Sequence, residues 1–165
     1  MATRALYFRL SPSEAKRFLE RPHLIRKLDV RVPMADGRAI DLGRGWEEIG
    51  CLLEGGISVP RSGPMIGEVE LWQDASGAWS YLSESRVSEL APSLVMTRAD
   101  FYRIYRVEDD EDTQDRLPHE QTGKSATRAD YLFKKLERLA AHYRDASDRG
   151  EAMLVRITEH VPEGA

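Results

Sequence analysis

Tyr7-Phe8-Arg9-Leu10-Ser11-Pro12-Ser13-Glu14 holds a strand and the start of a helix back to back. Leu6, Phe8 and Leu10 alternate with Tyr7 and Arg9, the two-residue period of a β-strand that buries one face. Ser11 to Glu14 reads as a capping box, in which the Ser11 hydroxyl accepts from the Glu14 amide and the Glu14 carboxylate reaches back to the Ser11 amide. Pro12 occupies the first helical position, where no amide hydrogen is needed. Ala15, Phe18 and Leu19 continue as the apolar face of that helix. Pro22 ends it before a second short helical piece with Leu24, Ile25 and Leu28.

The far end mirrors this start. Thr127-Arg128-Ala129-Asp130 opens the clearest helix of the chain, with Leu132, Leu136, Leu139, Ala140 and Tyr143 on one stripe and Gly150 as its stop. Met153-Leu154-Val155-Arg156-Ile157 then predicts a final strand. Strands at both ends with mostly helix between them predict an α+β fold: one compact domain over residues 1–160, and a frayed tail over 161–165. The small sheet is expected to contain both terminal strands and to pack with five or six helices.

Between these ends, Arg31 to Ile40 contains Pro33 and Asp36-Gly37 and reads as a turn or loop. Leu42, Trp46, Ile49 and Leu53 recur at helical spacing, with Glu47 and Glu48 favouring the first turns and Gly55-Gly56 as a stop. Glu68 to Trp72 and Ala78 to Leu82 alternate around Asp74-Ala75-Ser76-Gly77, predicting a hairpin. Ser83 caps a helix that presents Val87, Leu90 and Leu94, and Thr97 to Asp100 repeats the capping pattern before Phe101, Ile104 and Tyr105. Residues 108–125 are polar and strongly charged without an apolar period, and are expected to form an exposed loop.

The totals agree with an ordinary globular protein. Apolar residues at 41% are enough to build a core over 165 residues, and 32% charged residues solvate the exterior. The net charge of −4 opposes polyphosphate, so no nucleic-acid partner is expected. No stretch approaches the roughly 20 apolar residues of a membrane span, and the single Cys51 cannot bridge within the chain, which points to the cytoplasm and away from a membrane partner.

The segment Tyr7 to Glu14, Trp46 with Ile49, Leu52, Leu53 and Gly55, the run Gly77 to Ser83, and the end from Tyr131 through Tyr143 to Val155 together resemble the YfbM-like family. This is a group of small bacterial proteins classed as a domain of unknown function, and the likeness covers most of the chain. It implies helices packed on a small sheet and implies no established activity. Family members often carry histidines at positions that here hold Glu47 and Gly50, so a role that depended on those imidazoles does not transfer.

Candidate chemistry is sparse. Gly123-Lys124-Ser125 lacks the first glycine and the preceding strand of a phosphate-binding loop. The acidic run from Glu108 to Asp112 lacks the glycine and distal glutamate of a calcium loop. His23, His119, His142 and His160 lie in four separate segments without metal-ligand spacing; His142 falls on the polar side of the last helix and His160 in the tail, where solvent accounts for both. No catalytic residue, metal or cofactor is expected. The one constellation worth testing lies on the sheet: if the strand faces coincide, Tyr7, Arg9, Trp79, Tyr81 and Arg156 would gather arginines beside aromatics for an anionic ligand. The leading expectation for function is a non-catalytic accessory or protein-interaction module of the immunity kind, with another protein as its partner. A small anionic-ligand binder using that sheet face is the alternative, and an enzyme of unfamiliar type stands third.

Overall fold

The computed structural model describes residues 3–53, 65–109 and 125–159. The chain opens with β1 (Thr3–Leu10) and α1 (Pro12–Glu20), then a 3-10 turn over Pro22–Lys27, α2 (Arg31–Ala35), β2 (Ala39–Gly43) and α3 (Gly45–Leu53). The hairpin β3 (Val69–Asp74) and β4 (Gly77–Leu82) comes next, followed by α4 (Glu84–Leu90) with a 3-10 turn over Ala91–Leu94. The order closes with α5 (Arg98–Asp109), α6 (Ser125–Asp148) and β5 (Ala152–Glu159). The predicted loop falls mostly on residues 110–124; this span, the tail, His119, His160 and the Gly55-Gly56 stop lie outside the described residues.

The capping box forms as its residue types require. Glu14 N donates to Ser11 Oγ at 3.3 Å and Ser11 N donates to Glu14 Oε2 at 2.8 Å. That fixes where β1 ends and α1 begins, and α1 buries Ala15 and Phe18.

The five strands make one antiparallel sheet in the order β2-β1-β5-β4-β3, so the two ends of the chain are central neighbours. Their pairing runs from Thr3 opposite Glu159 to Leu10 opposite Ala152. In an antiparallel ladder, directly opposed residues share a face, and this sorts the core into two layers. Ala5, Tyr7, Met153, Val155 and Leu82 pack with α3, α4, α5 and α6. Phe8, Leu10, Leu154 and Trp79 pack with α1 and the 3-10 turn that follows it. The sheet is therefore covered on both sides.

Two expectations are corrected. Arg31 to Ile40 is no simple turn: it holds α2 and the start of β2, and only Asp36-Gly37 turns, with Gly37 at φ +72°. Pro33 is tolerated because α2 is a single short turn in which its missing amide costs nothing. Leu42 belongs to β2 and not to the helix; it is fully buried, and its apparent helical spacing from Trp46 is the accident of a strand running into α3 at Gly45. The long helix starts at Ser125, slightly ahead of the predicted cap. Among the described residues no helix is long and apolar enough to cross a membrane.

The hairpin turn depends on Gly77, at φ +144°, where an added Cβ would sit 2.2 Å from the Ile157 carbonyl oxygen. Gly77→Ala is expected to cost about 2 kcal/mol, because both the backbone conformation and the β4–β5 contact must give. Urea unfolding checks this; a loss below about 0.5 kcal/mol would show that the hairpin is not held so closely.

Candidate functional site

The sheet register separates the five residues that the sequence grouped. Tyr7 pairs with Val155 and Arg9 with Met153, on the side covered by α6. Trp79 pairs with Arg156 and Tyr81 with Leu154, on the side covered by α1. The sheet lies between the two groups, so no common pocket gathers Tyr7 and Arg9 with Trp79, Tyr81 and Arg156. The alternation within each strand was legible; the relative phase of the strands is a property of the pairing.

Each residue has a local task. Tyr7 is fully buried and its hydroxyl donates to the Met65 carbonyl at 2.9 Å. Burial, and then the nearby Tyr143, push its ionisation well above the ordinary phenol range. Arg9 is 8% exposed, and its Nη1 lies 3.6 Å from Glu151 Oε2. Trp79 is buried against Phe8, ring centroids 5.5 Å apart. Arg156 lies over the Trp79 ring at 4.9 Å and donates from Nη2 to Ser76 Oγ at 3.1 Å, pinning the hairpin turn. These contacts account for Trp79 and Arg156 as structural residues.

His142 is also corrected. It is 4% exposed, buried between α6 and the sheet. Burial first, and then the Arg9 charge, pull its pKa down to about 4, against a hydrogen bond with the Tyr7 backbone that favours the charged form. His23 is exposed, and Cys51 is half-buried on α3. Among the described residues no group of three or more His, Cys, Asp or Glu side chains could hold a metal ion.

Of the five, Tyr81 lines a groove at the surface. A groove of about 550 Å³ runs between α1 and the start of α4. Ala15, Lys16 and Leu19 form one wall, Tyr81 and Glu84 the other, and Ala152 lines it as well. Leu19 was expected on the buried face of α1, yet among the described residues it remains 45% exposed. Ser83 at the groove's edge is committed to the fold. Ser83 donates from both its amide and its hydroxyl to Glu68 Oε2, at 3.0 and 2.9 Å, and accepts from Arg86 N as the cap of α4. Lys16 pairs weakly with Glu20 at 3.9 Å. Burial, then the carboxylates of Glu84 and Glu68, raise the ionisation of Tyr81, which stays a neutral phenol. What the groove presents is the apolar surface of Leu19, Ala15 and the Tyr81 ring, with single charges at its rim. Nothing in the helical period of α1 distinguishes Leu19 from Phe18 in this respect.

The fold has a solved counterpart. The crystal structure of YfbM from Escherichia coli, a protein of unknown function, superposes with a TM-score of 0.61 at 16% sequence identity, covering 94% of this chain and 99% of that one. At that identity the likeness speaks for the fold alone. No curated protein matches the chain. Residues 1–156 match the family described as Domain of unknown function (DUF1877), and with nearly the whole chain inside that match, the protein belongs to this family.

Proposed function

We propose that this chain is a non-catalytic interaction module that takes an apolar segment of another protein into the groove between α1 and α4. The observation that carries the reading is Leu19, 45% exposed beside Tyr81 in a groove whose Ser83 hydroxyl is already engaged by Glu68. An apolar strip with a charged rim suits a partner's side chains, since burying it removes hydrocarbon from water without leaving polar groups unsatisfied. Arg9 and Arg156 stand on opposite sheet faces, which supports this reading over an anionic-ligand site that would use both.

The test is a photoreactive phenylalanine analogue placed at Leu19 in the native host, with Val95, 74% exposed among the helices of the other layer, as the control position. A discrete heavier adduct from position 19, absent from position 95 and lost when Tyr81 is changed to Asp, is the expected result. Equal adduct patterns from both positions would count against the groove.

A further inference from the structure

The layer that covers the α1 side of the sheet carries a charge opposite to that of the molecule. Between Lys16 and Arg31 the sequence places six basic side chains against two acidic ones, a local +4 in a chain whose total is −4. The cations are Lys16 and Arg17 on α1, Arg21 after it, Arg26 and Lys27 at the end of the 3-10 turn, and Arg31 at the start of α2; all six are exposed. Burial explains why they share one outer surface. Phe18, Ile25 and, in part, Leu24, Leu28 and Val30 turn toward the sheet, which leaves the charged positions between them on the outside.

Few of these charges are spent within the fold. Arg31 is held by Asp29 at 2.9 Å, and Lys16 reaches Glu20 only at 3.9 Å. Arg17, whose guanidinium lies 5.9 Å from the Phe18 ring, Arg21, Arg26 and Lys27 have no carboxylate partner among the described residues. Cations without carboxylate partners on the solvent side of one layer raise the local positive potential, and an anionic surface that meets them is attracted to it.

We infer that this surface docks an acidic protein segment, one that carries carboxylates between apolar side chains. The inference rests on the interaction reading above and names the chemistry of its partner. The pattern favours a protein over the other polyanions. Exposed Leu19, Val32 and Met34 interleave the cations, and Glu20 and Asp29 interrupt them, whereas a phosphate backbone asks for an unbroken basic track. The surface offers no exposed tryptophan, tyrosine or phenylalanine to stack on bases or to seat in a lipid interface. Lys16 and Leu19 also line the groove, so an acidic segment laid across this layer would lead an apolar side chain into it.

The test measures binding of a fluorescent amphipathic glutamate–leucine peptide by anisotropy. Parallel probes are the matching lysine–leucine peptide, a DNA duplex and phosphatidylserine vesicles. The wild-type chain is expected to bind the acidic peptide alone, with affinity falling at least about fivefold as salt rises from about 50 to about 200 mM. The variant Arg17→Glu, Arg21→Glu, Arg26→Glu, Lys27→Glu should bind it at least about tenfold more weakly. The four-glutamine version, checked for an unchanged thermal transition, covers the case in which the reversal disturbs folding, and should also lose affinity. No binding of the acidic peptide, binding unchanged in both variants, or tighter binding of the duplex or the vesicles would overturn the inference. The two readings separate in the crosslinking experiment: an adduct from position 19 that survives all four substitutions sinks the acidic partner and leaves the groove standing, while loss of the position-specific adduct in the wild type itself sinks the groove.

Discussion

Arg9→Ala should lower the free energy of unfolding at pH 7 by about 3 kcal/mol, a large fraction of what holds a domain of this size together. Arg9 is 8% exposed at the end of β1, and its partner Glu151 sits in the turn between α6 and β5. At 3.6 Å from Nη1 to Oε2 the contact is ionic rather than a hydrogen bond, so its net contribution as a pair is modest. Removing one member is a different matter, because the other charge then stays buried without compensation and the lost side chain leaves a gap beside Met153. The pair replaced as a whole, Arg9→Met with Glu151→Gln, should recover more than half of the loss, since no buried charge is stranded. Urea titrations of the single and double variants decide it; a loss within 1 kcal/mol for Arg9→Ala would show that Glu151 finds solvent on its own.

Acidification should remove a further component of about 3 kcal/mol between pH about 6.5 and about 4. His142 titrates near 6.5 when unfolded but only at about 4 when folded. Burial is the first cause of that lowering, Arg9 on β1 the second and Arg138 a minor one; the Tyr7 backbone bond and the Asp145 carboxylate oppose it. Above pH 6.5 the imidazole is neutral in both states and adds nothing to the pH dependence. Below it the unfolded chain takes up the proton first, so stability falls with pH until the folded state is protonated as well. Carboxylates held low in the fold, such as Glu14, begin to cost stability at the acid end of this window and below it, so the informative quantity is the difference between wild type and His142→Gln. The variant should lose markedly less stability on going from neutral to pH about 4, by roughly 6 to 12 °C in melting temperature. Arg9→Ala should also flatten the wild-type slope, because the like charge that opposes protonation is gone. Parallel pH profiles for wild type and His142→Gln would refute the assignment.

The two ends of the chain were legible because their signals are local. Ser11 and Glu14 satisfy one another across a single turn, and the stripe from Leu132 to Tyr143 needs only the helical period to be read. The short β2 was invisible for the opposite reason. Ala39 to Gly43 has too few residues to show alternation, and it is a strand because β1 lies beside it with its backbone groups waiting to be paired. His142 was misread on the polar side of α6, because which flank of a helix reaches solvent depends on what packs there, and the end of β1 covers that flank.

The candidate site divides in the same way. Sequence alone determined the α+β class, the edges of most elements, and the placing of Tyr7 with Arg9 and of Trp79 with Tyr81, because side-chain alternation is built into the backbone of each strand. Only the tertiary structure decided that Tyr7 and Arg9 face α6 while Trp79, Tyr81 and Arg156 face α1, and that Leu19 stands half in the open. Register is set between strands by hydrogen bonds and by the cores on either side, and a shift of one residue would exchange every face, so a pocket made from several strands has no local signature to read.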